Sequence, residues 1–257
     1  MLTTRFSILI FKMMKITVLG SGTILSGPVR KPSAFLLESA GHVALLDMGP
    51  GILYQLSVLN IDFLVPDTVF ITHFHLDHCS DLFPYLMSRY LLDNGSNKRF
   101  KIFGPVGLHH WYETNASLQG KWLNDCKPDV IEIFNNDIQW ADQKVLVYPT
   151  GHTNQSIAYR FEGQKKIFFS GDTGFNEELI SFALNAELGV LECSHPDEKP
   201  VAGHMTPKEA GRFAQLAGFK ELVVCHMYPE NDTKELSQKL AMEYQGKLII
   251  PEDLDVF

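Results

Sequence analysis

Six consecutive residues, His73-Phe74-His75-Leu76-Asp77-His78, place three imidazoles and a carboxylate directly after the β-branched run Thr68 to Thr72. Imidazole and carboxylate are donors that zinc and related divalent cations take from proteins. In extended backbone, residues two apart point to the same side, so His73 and His75 can grip one ion together. A turn after them can send Asp77 and His78 to a second ion, with Phe74 and Leu76 expected to face the core and anchor the loop. A lone histidine is usually a packed or surface residue. Three of them with an aspartate at this spacing are hard to explain that way.

Two ions need more donors than this segment supplies, since a catalytic zinc takes about three protein ligands and keeps a position open. Three further candidates stand at the ends of other hydrophobic runs: His152 in YPTGHT, Asp172 in FFSGDTG and His226 in VVCHMYPE. Strand ends gathered at one rim of a sheet would bring them together. Two ions about 3.5 to 4 Å apart would lower the pKa of a water between them toward about 7, giving hydroxide at neutral pH. Asp77 would then be placed to orient that water or take its proton.

The elements that must position these groups can be read from pattern and punctuation. Lys15 to Thr23 (KITVLGSGT) reads as a first core strand ending in a glycine-rich turn, and Ser33 to Glu38 with His42 to Asp47 as a hairpin. Helical spacing follows over Ile52 to Leu59. Ser80 and Asp81 are N-cap types for a helix over Leu82 to Leu92. Further strands are expected at Phe100 to Phe103, Val130 to Phe134, Val145 to Tyr148, Ser156 to Phe161 and Lys166 to Phe169, with a helix over Leu108 to Leu118. From Glu177 onward helix and strand alternate, and Thr206-Pro207-Lys208-Glu209 is a capping box with Pro at the first helical position. A strand-rich first half and an alternating second half imply two sheets sandwiched between helices.

On these motifs the chain resembles the metallo-β-lactamase superfamily from about Lys15 to the C-terminus, and within it the branch containing ribonuclease Z and related phosphodiesterases. The signature runs in order: Asp47 in LLDMGPG, HFHLDH, His152, Asp172 and His226. The resemblance implies an α/β fold, an αββα sandwich of two mixed β-sheets packed face to face with helices on both outer faces. It implies one ion held by His73, His75 and His152, a second held by Asp77, His78 and His226, and Asp172 bridging them. Asp47 would orient a ligand without touching metal. Glu192 in LECS and His204 in GHMT echo a carboxylate and a histidine that the branch places beside the substrate, where His204 would donate a proton to the leaving oxygen. The expected cofactors are two divalent ions, with zinc favoured by the histidine-rich shell and manganese or iron also compatible.

The departures from that branch bear on substrate. Transfer-RNA-processing ribonuclease Z carries a long arm between the positions of His152 and Asp172, where this chain has a gap of only 20 residues (172 − 152), and its GEGTQ-type turn is replaced by GPG. A net charge of −8 also argues against broad capture of polyanions. The expectation is hydrolysis of a small phosphodiester, cyclic or nucleotide-like, and not of transfer RNA. The alternatives are a carbonyl or sulfate ester hydrolase, acting on a lactone, thioester or aryl sulfate, and a metal-binding accessory protein without catalysis.

Other features bound the setting. The chain of 257 residues, 45% hydrophobic, can bury one large core, so residues 13–257 are expected to form one domain, with residues 1–12 a disordered or mis-started extension. Cys79, Cys126, Cys193 and Cys225 form neither a zinc ribbon nor a disulfide framework, which fits a reducing cytoplasm. The apolar run Phe6 to Phe11 is too short to span a bilayer. A homodimer is expected from the habit of relatives. His42, His109, His110 and His195 read as surface residues.

Overall fold

The structure, a computed structural model, describes residues 14–25, 29–93, 99–126, 128–134 and 137–257. The proposed extension, residues 1–12, lies outside them. Two sheets account for the strands. The first runs β1 (Lys15–Gly20), β2 (Ala34–Ser39), β3 (His42–Leu46), β4 (Thr68–Phe70), β5 (Lys101–Gly104), β6 (Asp129–Glu132), in spatial as well as chain order. Its β1, β2 and β3 pair antiparallel, and β3 through β6 are parallel. The second sheet contains β7 (Ile138–Trp140), β8 (Gln143–Pro149), β9 (Ile157–Glu162), β10 (Lys166–Phe169), β11 (Leu188–Glu192), β12 (Glu221–Cys225) and β13 (Lys247–Ile249). Here β7 to β10 are antiparallel, and β10 to β13 are parallel.

Strand alternation explains how the sheets stack. In β2, Phe35 and Leu37 point into the core between the sheets, while Ala34 and Leu36 point to the outer layer. Both faces of the central strands are buried, so they read as nearly unbroken apolar runs. Phe35 meets Phe169 across the sandwich at 5.3 Å, and Phe70 sits among Phe103, Trp140, Tyr159 and Phe161.

Helices close both outer faces. On the first sheet lie α1 (Ile52–Val58), α2 (Leu76–Cys79), α3 (Leu82–Leu92), α4 (Leu108–Ala116) and α5 (Leu123–Cys126). The second is covered by α6 (Glu177–Ala183), α7 (Pro207–Ala217) and α8 (Leu236–Glu243). This is the αββα sandwich expected from the sequence. The capping box is present at Thr206, with Pro207 at the start of α7 and Gly218 closing it. Among the described residues, no helix is long and apolar enough to cross a membrane.

Two expectations need correction. Leu76 does not anchor the loop in the core; it is 70% exposed, because the chain turns into α2 there and breaks the extended alternation. Asp81 does not cap α3 with its side chain. Its Oδ2 instead accepts from the backbone N–H groups of Gly51, Ile52 and Leu53, capping α1 from a neighbouring segment. Elements α5 and β7, both short, were not legible in the pattern.

The free edge of β1 is covered by the C-terminal tail. Ile16 and Phe257 exchange backbone hydrogen bonds, and Val18 N donates to Asp255 O, so the edge is not left open for foreign strands. Asp253 accepts from the backbone and hydroxyl of Ser21, fixing the turn that follows β1.

Candidate metal centre

Parallel strands end on the same side, and the polar groups singled out in the sequence sit at those ends. Asp47 follows β3, His73 lies just past β4, Asp172 follows β10, Glu192 ends β11 and His226 follows β12. Strand β8 runs in the same direction as β10, being antiparallel to β9 as β10 is, so His152 reaches the same rim. The turns there need unusual backbone. Asp47 and His226 adopt φ of 61° and 53°, and at Gly171 (φ 57°) an added Cβ would lie 3.1 Å from the Thr72 side chain. At Gly49, in GPG, an added Cβ would collide with the Asp77 carbonyl, so this turn has no room for a side chain.

Four histidines are held by Nδ1 and present Nε2 to one carboxylate. His78 Nδ1 donates to Asp47 Oδ2 at 2.7 Å, and His73 Nδ1 donates to Thr72 Oγ1 at 3.0 Å. The Thr72 hydroxyl in turn donates to Asp47 Oδ2. His152 Nδ1 donates to Gly203 O at 2.9 Å, and His226 Nδ1 to Ser194 Oγ at 2.9 Å. Each bond fixes a tautomer in which Nε2 carries the free lone pair.

The Nε2 atoms of His73, His152 and His226 stand 3.6, 3.7 and 3.3 Å from Asp172 Oδ2, and that of His78 stands 3.4 Å from Oδ1. Ordinary N–H···O bonds are about 2.7 to 3.2 Å, so these are the separations of groups around a shared partner. Buried and without a hydrogen-bond partner, Nε2 of His73, His78 and His226 would each cost about 1 to 3 kcal/mol if nothing met them.

The donor atoms gather into groups. His73, His75, His152 and Asp172 lie within 4.8 Å of one another, and so do Asp77, His78 and His226. His75 Nδ1 faces His152 Nε2 at 3.2 Å, and Asp77 Oδ2 lies 3.5 Å from His226 Nε2. Asp172 with His204 and His226 makes a third group. His204, however, is already tied to Glu192 through Nδ1, at 3.0 Å to Oε1. This donor set, imidazoles with carboxylates and a preset Nε2 direction, fits divalent cations.

Electrostatics follow from that packing. Burial pushes the Asp172 carboxyl up, but the surrounding imidazoles, His226 and His78 first, outweigh it and hold the carboxyl well below its ordinary range. Asp77 is likewise lowered, by His226 and His78 against its own burial. Burial lowers His73 well below the usual imidazole value, reinforced by the charge of His78. His204 moves the other way: burial opposes its charge, yet the hydrogen bond and charge of Glu192 raise it above the ordinary value.

A family model described as a beta-lactamase superfamily domain matches residues 42–227. The chain belongs to the metallo-β-lactamase superfamily. A ribonuclease Z of Methanothermobacter thermautotrophicus is 24% identical over 94% of this chain and 95% of its own length. The metallo-β-lactamase fold protein YhfI of Bacillus subtilis superposes with a TM-score of 0.84 at 23% identity, covering 95% of this chain and 98% of that one. A diphosphatase of the PhnP family superposes with a TM-score of 0.77 at 15% identity, covering 95% and 96%.

Several groups that build this metallo-β-lactamase rim are not apparent from the sequence. Ser194 donates its hydroxyl to Glu192 Oε2 at 2.5 Å while accepting from His226, so it links the two. Glu192, fully buried, also accepts from the backbone of Thr173 and Met205. A serine two residues past Glu192 on an extended run was the available signal. His195 is not the surface residue expected: its side chain is 12% exposed and stacked on Tyr228 at 4.4 Å. His42, His109 and His110 are exposed, as expected.

Proposed function

We propose that the chain is a binuclear metal-dependent phosphodiesterase acting on a small diester, cyclic or nucleotide-like. The observation that carries this reading is the set of imidazole Nε2 atoms turned toward Asp172 with every Nδ1 already engaged. In this assignment His73, His75 and His152 hold one ion, Asp77, His78 and His226 a second, and Asp172 serves both. Zinc is the cation best suited to so many imidazoles.

When bound, such a pair of cations supplies Lewis acidity, lowering the pKa of water and offsetting charge on the phosphoryl oxygens. The chain's own residues do the rest. Asp77, held ionised, accepts the proton of the attacking water as the new O–P bond forms. His204, kept protonated by Glu192, has Nδ1 occupied and so gives its Nε2 proton to the departing oxygen as the old P–O bond breaks. That service matters for an alkoxide and little for an already stable anion, which favours a phosphodiester of an ordinary alcohol. The ribonuclease and diphosphatase names of two similar proteins agree with phosphorus–oxygen chemistry. The short β9–β10 hairpin between His152 and Asp172, where transfer-RNA-processing relatives have their arm, favours a small substrate.

The test is a substrate panel with metal added and with metal chelated: bis-p-nitrophenyl phosphate, p-nitrophenyl acetate, an aryl sulfate and lactones. Metal-dependent turnover of the phosphodiester well above the others is expected. Preference for an ester, sulfate or lactone would replace the proposal, and no turnover of any with metal bound would leave a binding protein.

A further inference from the structure

Beyond the residues that the proposed reaction uses, the rim carries one more pair. His195, in the loop after β11, and Tyr228, in the loop after β12, stack at 4.4 Å and 22°. The His195 ring lies 5.7 Å from the His204 ring, and the Tyr228 ring 5.9 Å from that of His226. The pair therefore borders the proton donor and the metal ligands together.

Both residues are fixed from behind. Tyr228 N donates to Ser194 O, and Asn231 Nδ2 donates to Cys193 O, clamping the two loops together. His195 Nδ1 is 3.3 Å from Glu230 Oε1, which sets the tautomer with the proton on Nδ1 and the lone pair on Nε2. Among the described residues, neither His195 Nε2 nor Tyr228 Oη has a hydrogen-bond partner, and neither is sealed from solvent. One acceptor and one donor, carried on stacked rings, are thus open at the rim.

We propose that His195 and Tyr228 form the leaving-group subsite and select an alcohol that bears a second hydroxyl beside the departing oxygen, as ribose does. The inference rests on the phosphodiesterase reading, with His204 at the departing oxygen. One face of each ring is used against the other, so recognition falls to the polar edges. A hydroxyl is the group that can donate to His195 Nε2 while accepting from Tyr228 Oη. The site suits a neutral leaving group, because Lys199, the one Lys or Arg in residues 193–206 and 226–233, is engaged by Glu230. A phenol titrates ordinarily at about 10, so at neutral pH the hydroxyl is a donor.

The test compares zinc-loaded wild type with Tyr228→Phe, which removes one unpartnered hydroxyl and keeps the stack. Substrates are a ribonucleoside 3′,5′-cyclic phosphate and its 2′-deoxy counterpart, whose leaving 3′-oxygen does or does not have a hydroxyl neighbour. Calorimetric binding of the ribo and deoxyribo 5′-monophosphates supplies a second readout. Wild type is expected to favour the ribo forms about tenfold, mainly in KM and Kd, and Tyr228→Phe to bring that ratio close to one. If wild type cleaves bis-p-nitrophenyl phosphate but shows no ribose preference, or if Tyr228→Phe keeps the wild-type ratio, the subsite assignment is wrong while the phosphodiesterase reading stands. If wild type cleaves no phosphodiester and binds both monophosphates alike, both fall.

Discussion

Asp47 Oδ2 lies 2.7 Å from His78 Nδ1, and through that one contact a buried carboxylate that touches no neighbouring Nε2 sets which nitrogen His78 offers to the rim. Asp47 also accepts from the backbone and hydroxyl of Thr72, which in turn orients His73. One side chain therefore aims two candidate ligands.

Asp47→Asn tests that control. Asparagine tolerates the positive φ at this position, so the fold should persist. Its amide must point –NH2 either at His78 Nδ1 or at Thr72 N, and the first forces the wrong imidazole tautomer. Metal affinity should drop about 10- to 100-fold, read by competition with a chromogenic chelator. Unchanged affinity would remove Asp47 from the support of the centre.

His204→Ala separates proton donation from metal binding. Bound metal and melting temperature should be retained. Turnover of an alkyl phosphodiester should fall by about 10² or more, with a much smaller loss on a p-nitrophenyl diester. Equal losses on both would assign His204 to substrate positioning instead.

Glu192→Gln should move the pH profile. His204 is raised by Glu192, so the rate that depends on its proton is fully present at low pH and lost as pH rises through the raised value. Without the carboxylate charge, the alkaline limb of kcat should shift toward lower pH. The amide also meets donors from Thr173, Ser194 and Met205, so a stability loss of about 1 to 3 kcal/mol is expected in urea denaturation. An unmoved alkaline limb would show that another group sets it.

Asp81→Ala removes the acceptor shared by Gly51, Ile52 and Leu53 at the start of α1. A loss of about 1 kcal/mol in thermal or chemical unfolding is expected, comparable to an N-cap deletion. No loss would mean that water replaces the cap without cost.

The parts of this fold that were legible in the sequence are those written locally. Apolar alternation marked the strands, Thr206 to Glu209 marked a helix start, and polar groups ending apolar runs marked the rim. What sequence could not show depends on segments far apart in the chain. Asp81 caps a helix that ends more than twenty residues before it, Gly203 supplies a carbonyl to His152, and Ser194 joins Glu192 to His226. Leu76 was misplaced because one helical turn interrupts an extended pattern, and His195 because its partner Tyr228 lies on another strand's loop.

The most direct test of the central claim is a zinc titration of chelated protein, following bound metal and phosphodiester turnover on the same samples. Wild type should bind two equivalents per chain, with turnover returning as the second is filled, whereas Asp172→Ala should bind both far more weakly because it loses the carboxylate facing four imidazoles. Turnover in chelated protein, full turnover at one equivalent, or two tightly held ions with normal turnover in Asp172→Ala would contradict the account.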